Sequence, residues 1–389
     1  MRLRNDLHLA YCTNIHRGET WEEILAGLEA HTLRVKAIVS PNAPYAIGLR
    51  LGAQAAQELN EPRTLTAFQR WLELHQCYVF TVNGFPYGQF HGARIKEQVY
   101  RPDWTTTERL TYTNQLFDLI GELVPKDVQG SVSTCPGSFK AFQIDASGEA
   151  LIRKHLHACC QHIEAVAART GKDLHLGLEP EPLCYVETSA ETVELIERVF
   201  ADHPMDEAML RQRLGVNYDT CHLAVEYETA AAALDRIEAA KVRLSKIHLS
   251  SALRLAPTPA ALKRLRAFGD DTYLHQVIVK QADHSLDRFQ DLQLALDWTE
   301  AGNGPGEEWR VHFHIPLHHE PGEGLQSTAD HLTETLDWLQ RHPNACSHLE
   351  METYTWEVLP EMLRQVEVVD QLTKEYDWCL DKLRARELA

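Results

Sequence analysis

The chain has 389 residues, 44% of them hydrophobic, and a formal net charge of −18. That length buries a large core, either as one big α/β barrel or as two ordinary domains, and the acidic balance disfavours nucleic acid as a partner, because a phosphate backbone would need a basic patch to override the field. The opening "MRLRNDLHLA" lacks an apolar stretch of signal-peptide length and no window approaches the roughly twenty apolar residues of a membrane helix, which predicts a soluble, cytoplasmic protein without membrane insertion.

Nine cysteines, an odd number with no C-x-x-C pair, read as reduced core thiols. The 21 histidines favour metal or proton chemistry without locating it.

In chain order, "LHLAYCTNIH" (7–16) with "TWEEILAGLEAH" forms an extra strand and helix in an N-terminal extension over 1–45, or else a further strand that shifts the count. Short β-rich runs then alternate with amphipathic stretches, the pattern of a parallel sheet with helical crossovers. The eight strand candidates cover 46–52, 78–84, 130–135, 173–182, 213–219, 243–251, 309–316 and 347–356. Helices are predicted over 105–123, 149–170, 189–202 and 327–342, several behind a Ser or Thr cap, with a closing helix at about 360–386. This succession predicts a single α/β domain, a (β/α)8 TIM barrel, over an open doubly wound sheet, and no GxGxxG follows the first strand. Residues 252–308, between strands six and seven, read as a helical insertion or lid.

The polar residues fall at strand ends, which in such a barrel share one pocket. Strand four ends in Glu179 and Glu181, strand five in Asp219 followed by His222, strand six carries His248, strand seven His312 and His314, and strand eight Glu350 and Glu352. Burying Glu179, Asp219, His248 or Glu352 unpaired in such apolar surroundings costs on the order of several kcal/mol each. A divalent cation at their convergence removes that cost, and two Glu, one Asp and one His suit Mn, Mg, Co or Zn alike. A turn through Thr220 and Cys221 is needed to swing His222 over the pocket that Asp219 faces, since a continuing strand puts the two on opposite faces. His312 and His314, two apart on a strand, share a face as a second-metal or substrate pair or as packing. His91, in the glycine-flanked "YGQFHG", is a further ligand candidate. Arg94, Lys96 and Arg101 nearby form a solvated face, or receive a substrate phosphate or carboxylate.

"GLEPEP", "NYDTCH", "KIHLS" and "LEMETYTW", on successive strand ends, resemble the xylose-isomerase-like barrel superfamily of sugar isomerases, ketose epimerases and endonuclease-IV-type phosphodiesterases. The resemblance implies that Glu179, Asp219, His248 and Glu352 bind a shared metal, and that His222 and Arg254 hold substrate oxygens. In the nuclease-like members the D-x-x-H histidine joins a D-x-H pair at a further zinc, where this chain has His312-Phe313-His314. Those members also take histidines from strands two and three. His91 answers to the first, whereas "STCPGS" offers none for the second, so one or two metals are expected. "LHLAYCTNIH", "GLRLGAQAA", "TVNGFPYGQFHG" and "YRPDW" are similar to the EboE family, which implies a part in metabolite traffic without stating a reaction.

These readings converge on a metal-dependent sugar or cyclitol isomerase or epimerase that moves a proton through an enediolate on a small polyhydroxylated metabolite. Glu179 and Glu352 are its base and acid, and His222 and Arg254 orient substrate. Glu181 and Glu187 contact substrate hydroxyls, or serve as helix-entry charges or salt-bridge partners. A phosphoesterase acting on a phosphorylated substrate through a second metal at His222, His314 and His91 is the alternative, and a non-catalytic metabolite carrier the third. A homo-oligomer is allowed.

Overall fold

Strand β1 (His8–Tyr11) pairs in parallel with β13 (His348–Met351), the last strand of the chain, so the segment expected as an extension is the first strand of the barrel. The computed structural model describes residues 1–92, 94–360, 364 and 366–389. Between these strands lie β2 (Tyr45–Arg50), β3 (Cys77–Asn83), β4 (Gly130–Thr134), β5 (Leu174–Leu178), β6 (Leu214–Asp219) and β7 (Arg243–Leu249). All eight are parallel, in the order β1-β13-β7-β6-β5-β4-β3-β2, and the parallel bridge Cys12–Gly48 brings the two ends of that order together. Nearly every residue of these strands is buried, which is why they read as continuous apolar runs and not as alternations.

The helices follow their capping signals. Thr188 and Glu191 form a reciprocal capping box at the head of Ser189–Asp202. Asp145 caps Ala146–Thr170, which ends on Gly171 at φ +70°, a left-handed position suited to glycine. Val368–Arg384 closes the chain. All nine cysteines are buried and free. Among the described residues no helix is long and apolar enough to cross a membrane.

Between β7 and β13 lies the insertion, with helices Pro259–Leu265 and Leu292–Glu300 as expected. It also carries a five-stranded antiparallel sheet made of β8 (Leu253–Leu255), β9 (Val277–Lys280), β10 (Leu286–Phe289), β11 (Glu308–Val311) and β12 (Leu325–Ser327), so it reaches well past residue 308. The run at 309–316 therefore starts in this sheet and supplies no barrel strand. Its burial shows why: Trp309 and Val311 are buried while Glu308 and Arg310 are half-buried, the alternation of an antiparallel strand with one wet face. The insertion has its own apolar cluster around Phe268, Val277, Trp309 and Phe313. It is tied to the loop after β3 by the Ile95 and Lys96 amides, which both donate to the Thr272 carbonyl at 3.1 Å.

Candidate metal centre

The barrel strands stop where chemistry begins. Asp219 ends β6 and caps the short helix Thr220–Val225, its Oδ1 accepting the Cys221 and His222 amides at 2.7 and 2.9 Å and the Ser250 hydroxyl at 2.7 Å. The turn that the sequence required is thus the first turn of a helix, and it carries His222 back over the cavity. Glu179 follows β5, His248 lies in β7 and Glu352 follows β13.

These four meet. His248 Nδ1 is 3.0 Å from Glu179 Oε1, 3.1 Å from Glu352 Oε2 and 3.4 Å from Asp219 Oδ2, and one ligand atom from each residue lies within 4.8 Å of all the others. Behind the ring, His248 Nε2 lies 2.9 Å from Glu350 Oε2, which also accepts from the Lys246 ammonium at 2.5 Å. A carboxylate partner on Nε2 makes that nitrogen the donor and leaves Nδ1 as the lone pair facing three carboxylates. A lone pair among three anions is tenable only with positive charge at the centre, either a proton on Nδ1 or a cation. Against the opposing pull of burial, Glu352 and Glu179 hold the His248 pKa well above the usual imidazole range. Burial likewise opposes ionisation of Asp219, but His222, His314 and His248 hold its carboxyl well below the usual range. Glu179 Oε2 and Asp219 Oδ2 are buried without a hydrogen-bond partner. A divalent cation would compensate this buried negative charge, so the donor set fits one.

A second cluster sits beside the first. The Nε2 atoms of His222, His312 and His314 are mutually 3.1, 3.2 and 3.3 Å apart. Each ring uses Nδ1 on an oxygen that can only accept: the Pro180 carbonyl at 2.9 Å, Gln276 Oε1 at 2.7 Å and the Glu352 carbonyl at 2.9 Å. Those bonds fix the Nδ1–H tautomer and aim three bare lone pairs at one point. Asp219 groups with His222 and His314, and Cys221 with His312 and His314, at ligand spacing.

Glu179 and Glu352 of the first cluster and His222 and His312 of the second line a cavity of about 540 Å³, open solvent at its mouth included. Glu181 lines it, with Oε1 accepting from Tyr100 Oη at 2.5 Å and Gln276 Nε2 at 3.2 Å while Oε2 is unpartnered. Burial pushes its carboxyl up to about 7.

Other expected site residues lie elsewhere. Arg254, on β8, is committed to Asp330 at 2.7 Å and does not line the cavity, because β8 belongs to the antiparallel sheet and leads away from the barrel mouth. Glu187 pairs with Lys140 and Arg288 and serves as an ion-pair anchor for the insertion. His91 spends both ring nitrogens, on Tyr273 Oη and the Asn14 carbonyl at 2.7 Å each, so neither is open to a metal. Lys96 lines the cavity with its stem only, its ammonium being bound by the Asp270 and Tyr273 carbonyls and Asp291.

Sequence reasoning gave no role to Asn14 and Asn83, whose amides donate to Glu352 Oε1 at 2.8 and 3.0 Å. Nor did it give one to Lys246, Gln276 or Tyr100. A buried lysine in the apolar run "RLSKIHL" was the one available signal.

The sequence matches no protein-family model and no curated protein. Its fold is similar to those of several solved structures. D-psicose 3-epimerase from Clostridium cellulolyticum H10 is 13% identical with a TM-score of 0.54, over 98% of this chain and 100% of that one. A D-tagatose 3-epimerase-like protein is 10% identical with a TM-score of 0.51, over 98% of both chains. The IOLI protein with a bound zinc atom is 13% identical with a TM-score of 0.50, over 98% and 99%. At these identities the likeness establishes the barrel fold.

Proposed function

We propose that the protein is a metal-dependent isomerase or epimerase of a small metabolite with adjacent hydroxyl and carbonyl oxygens. The observation that carries this reading is the convergence of Glu179, Asp219, His248 and Glu352 on one point beneath a cavity that Glu179 and Glu352 line. The neighbouring folds named for ketose epimerases support it. A divalent cation, which those four residues would hold, would supply Lewis acidity to polarise a carbonyl and acidify the neighbouring C–H bond.

The protein's own groups divide the remaining work. Glu179 Oε2, with no protein partner, is the base that takes the proton from carbon. Glu352 is the opposing carboxylate, and the Asn14 and Asn83 donors on its Oε1 favour the ionised form. A proton returned from the Glu352 side to the same carbon inverts it, whereas a proton returned by Glu179 to the adjacent carbon, with the hydroxyl proton passing to the former carbonyl oxygen, shifts the carbonyl. The amide grip on Glu352 favours the second course. Glu181 Oε2 is placed to take a substrate hydroxyl. On the EboE-like segments quoted above, we assign the reaction to specialised-metabolite production or traffic.

One observation favours a second reading, a two-metal phosphoesterase: the three convergent Nε2 lone pairs of His222, His312 and His314 next to the first cluster. Against it, among the described residues no arginine lines the cavity and its lysine is already bound. Incubating the metal-loaded protein with hydroxy-ketones in deuterated water, and separately with phosphodiesters, decides between them. Carbon-bound deuterium supports the isomerase; phosphodiester cleavage without exchange replaces it with the esterase.

A further inference from the structure

The cavity has two unlike halves. Its floor is the polar set already described. Its wall is built from the loop after β3, the insertion and the segment after β13, and presents Phe85, Phe90, Ile95, Val99, Leu274 and Tyr354. Phe90, Tyr273 and Tyr354 pack against one another in tilted and edge-on pairs with ring centroids 5.2 to 5.3 Å apart, which joins them into one aromatic cluster.

The polar atoms in this wall are spent inside the protein. Tyr100 Oη donates to Glu181, Tyr273 Oη bonds His91 Nδ1 at 2.7 Å, and the Lys96 ammonium is taken by two carbonyls and Asp291. A molecule resting against the wall therefore meets mainly ring faces and alkyl groups, and the Tyr354 hydroxyl lies 3.5 Å from His312 Nε2, beside the polar floor. A sugar carries hydroxyls on almost every carbon. Those on the wall side give up water and gain nothing, a loss that falls on each unmatched hydroxyl. An apolar body in the same place gains from every square ångström it covers.

We infer that the substrate is amphipathic: an oxygen-chelating head on the metal floor, joined to an aromatic or alicyclic hydrocarbon body against the Phe85–Phe90–Val99–Leu274 wall. Free polyhydroxylated sugars are poor ligands. This deepens the proposed function and rests on it for the head alone, because the wall is an independent observation. It narrows the polyol expected from sequence to a molecule whose hydroxyls are confined to one end.

Isothermal titration of the full chain, loaded with Mn²⁺ and then stripped, tests both parts. Three probes are 2-hydroxyacetophenone, hydroxyacetone and D-fructose, which share an α-hydroxy-ketone head and differ in body. The expected result is that the aryl ketone binds at least about tenfold more tightly than hydroxyacetone, with fructose no better than hydroxyacetone. Phe90→Ala should lower the aryl affinity about tenfold and leave hydroxyacetone within about twofold. Val99→Thr, which keeps the side-chain shape and replaces one methyl by a hydroxyl, should do the same more weakly and guards against misfolding of the first variant. Fructose binding as tightly as the aryl ketone, or both variants weakening every probe equally, overturns the inference. Aryl preference that survives in the stripped protein with no metal dependence of any probe upholds the wall and overturns the metal-bound head.

Discussion

Glu350 Oε1 presses so closely on Gly48 that a Cβ at residue 48 would lie 2.0 Å from it and 2.8 Å from the Tyr11 carbonyl. The glycine in β2 thus makes room for the carboxylate that receives His248 Nε2. Gly48→Ala pushes Glu350 away and frees the imidazole to rotate. The expected cost is roughly 1–3 kcal/mol of stability from overpacking, with metal affinity lowered ~10–100-fold through loss of the partner behind the ligand. Denaturant melts and metal titration read the two effects. Unchanged metal affinity in a folded Gly48→Ala protein would separate Glu350 from the metal centre.

Asp219 caps a helix with one oxygen and faces His248 with the other. Asparagine caps as well as aspartate, so Asp219→Asn keeps the helix while removing one anionic ligand. Metal content of the purified variant, measured by plasma mass spectrometry, should fall at the first site while the circular dichroism stays that of the parent. Metal should also raise the melting temperature of the parent, by an amount set by its concentration relative to Kd, and should raise that of the variant less. Equal metal content and equal thermal shifts in the two proteins would remove Asp219 from the ligand set.

His314 uses Nδ1 on the Glu352 carbonyl and Nε2 on the three-histidine point. Full loading of the parent should therefore give two ions per chain, and His314→Ala one. The ion lost should be the one with an all-imidazole signature in the spectrum of a Co²⁺-substituted protein. A parent that never exceeds one ion per chain, at any metal concentration short of nonspecific binding, refutes the second centre.

The four-residue cluster was legible because charged groups in apolar runs are costly anomalies, and Glu179, Asp219, His248 and Glu352 each stand out against a Leu, Tyr, Ile or Met neighbour. Asn14 and Asn83 were not, since a neutral amide in a loop or strand end raises no such anomaly and its value appears only when Glu352 arrives from the far end of the chain. Strand β1 was left open between an extension and a further strand for the same reason of distance: its partner is 340 residues later in the register His8–His348. Arg254 followed the strand-six histidine at a familiar spacing, but the chain turns into β8 there and takes the side chain to Asp330. The alternation of 308–311 carried the warning that this strand was antiparallel, and counting strands masked it, because one barrel strand was left out as one foreign strand was let in.

Glu375, on the closing helix, is fully buried and accepts the Leu317 amide and the Thr353 hydroxyl, each at 3.0 Å. Burial pushes its carboxyl up to about 7, because the hydrogen bonds do not replace the water lost. The native chain therefore binds a proton at Glu375 that the unfolded chain releases near 4.5. Between those two values the native state holds more protons than the unfolded state, so stability falls as pH rises from 4.5 through 7. The contribution is full below 4.5 and lost above 7, and its size is on the order of a few kcal/mol. Glu375→Gln keeps an acceptor for Leu317 and a polar group for Thr353 without a titrating proton. The difference in unfolding free energy between Glu375→Gln and the parent should therefore grow in favour of the variant from pH 5 to pH 8, as measured by urea denaturation at each pH. A difference that stays flat across that range would mean that Glu375 is ionised in the native state and that its partners, Leu317 and Thr353, fully compensate its burial.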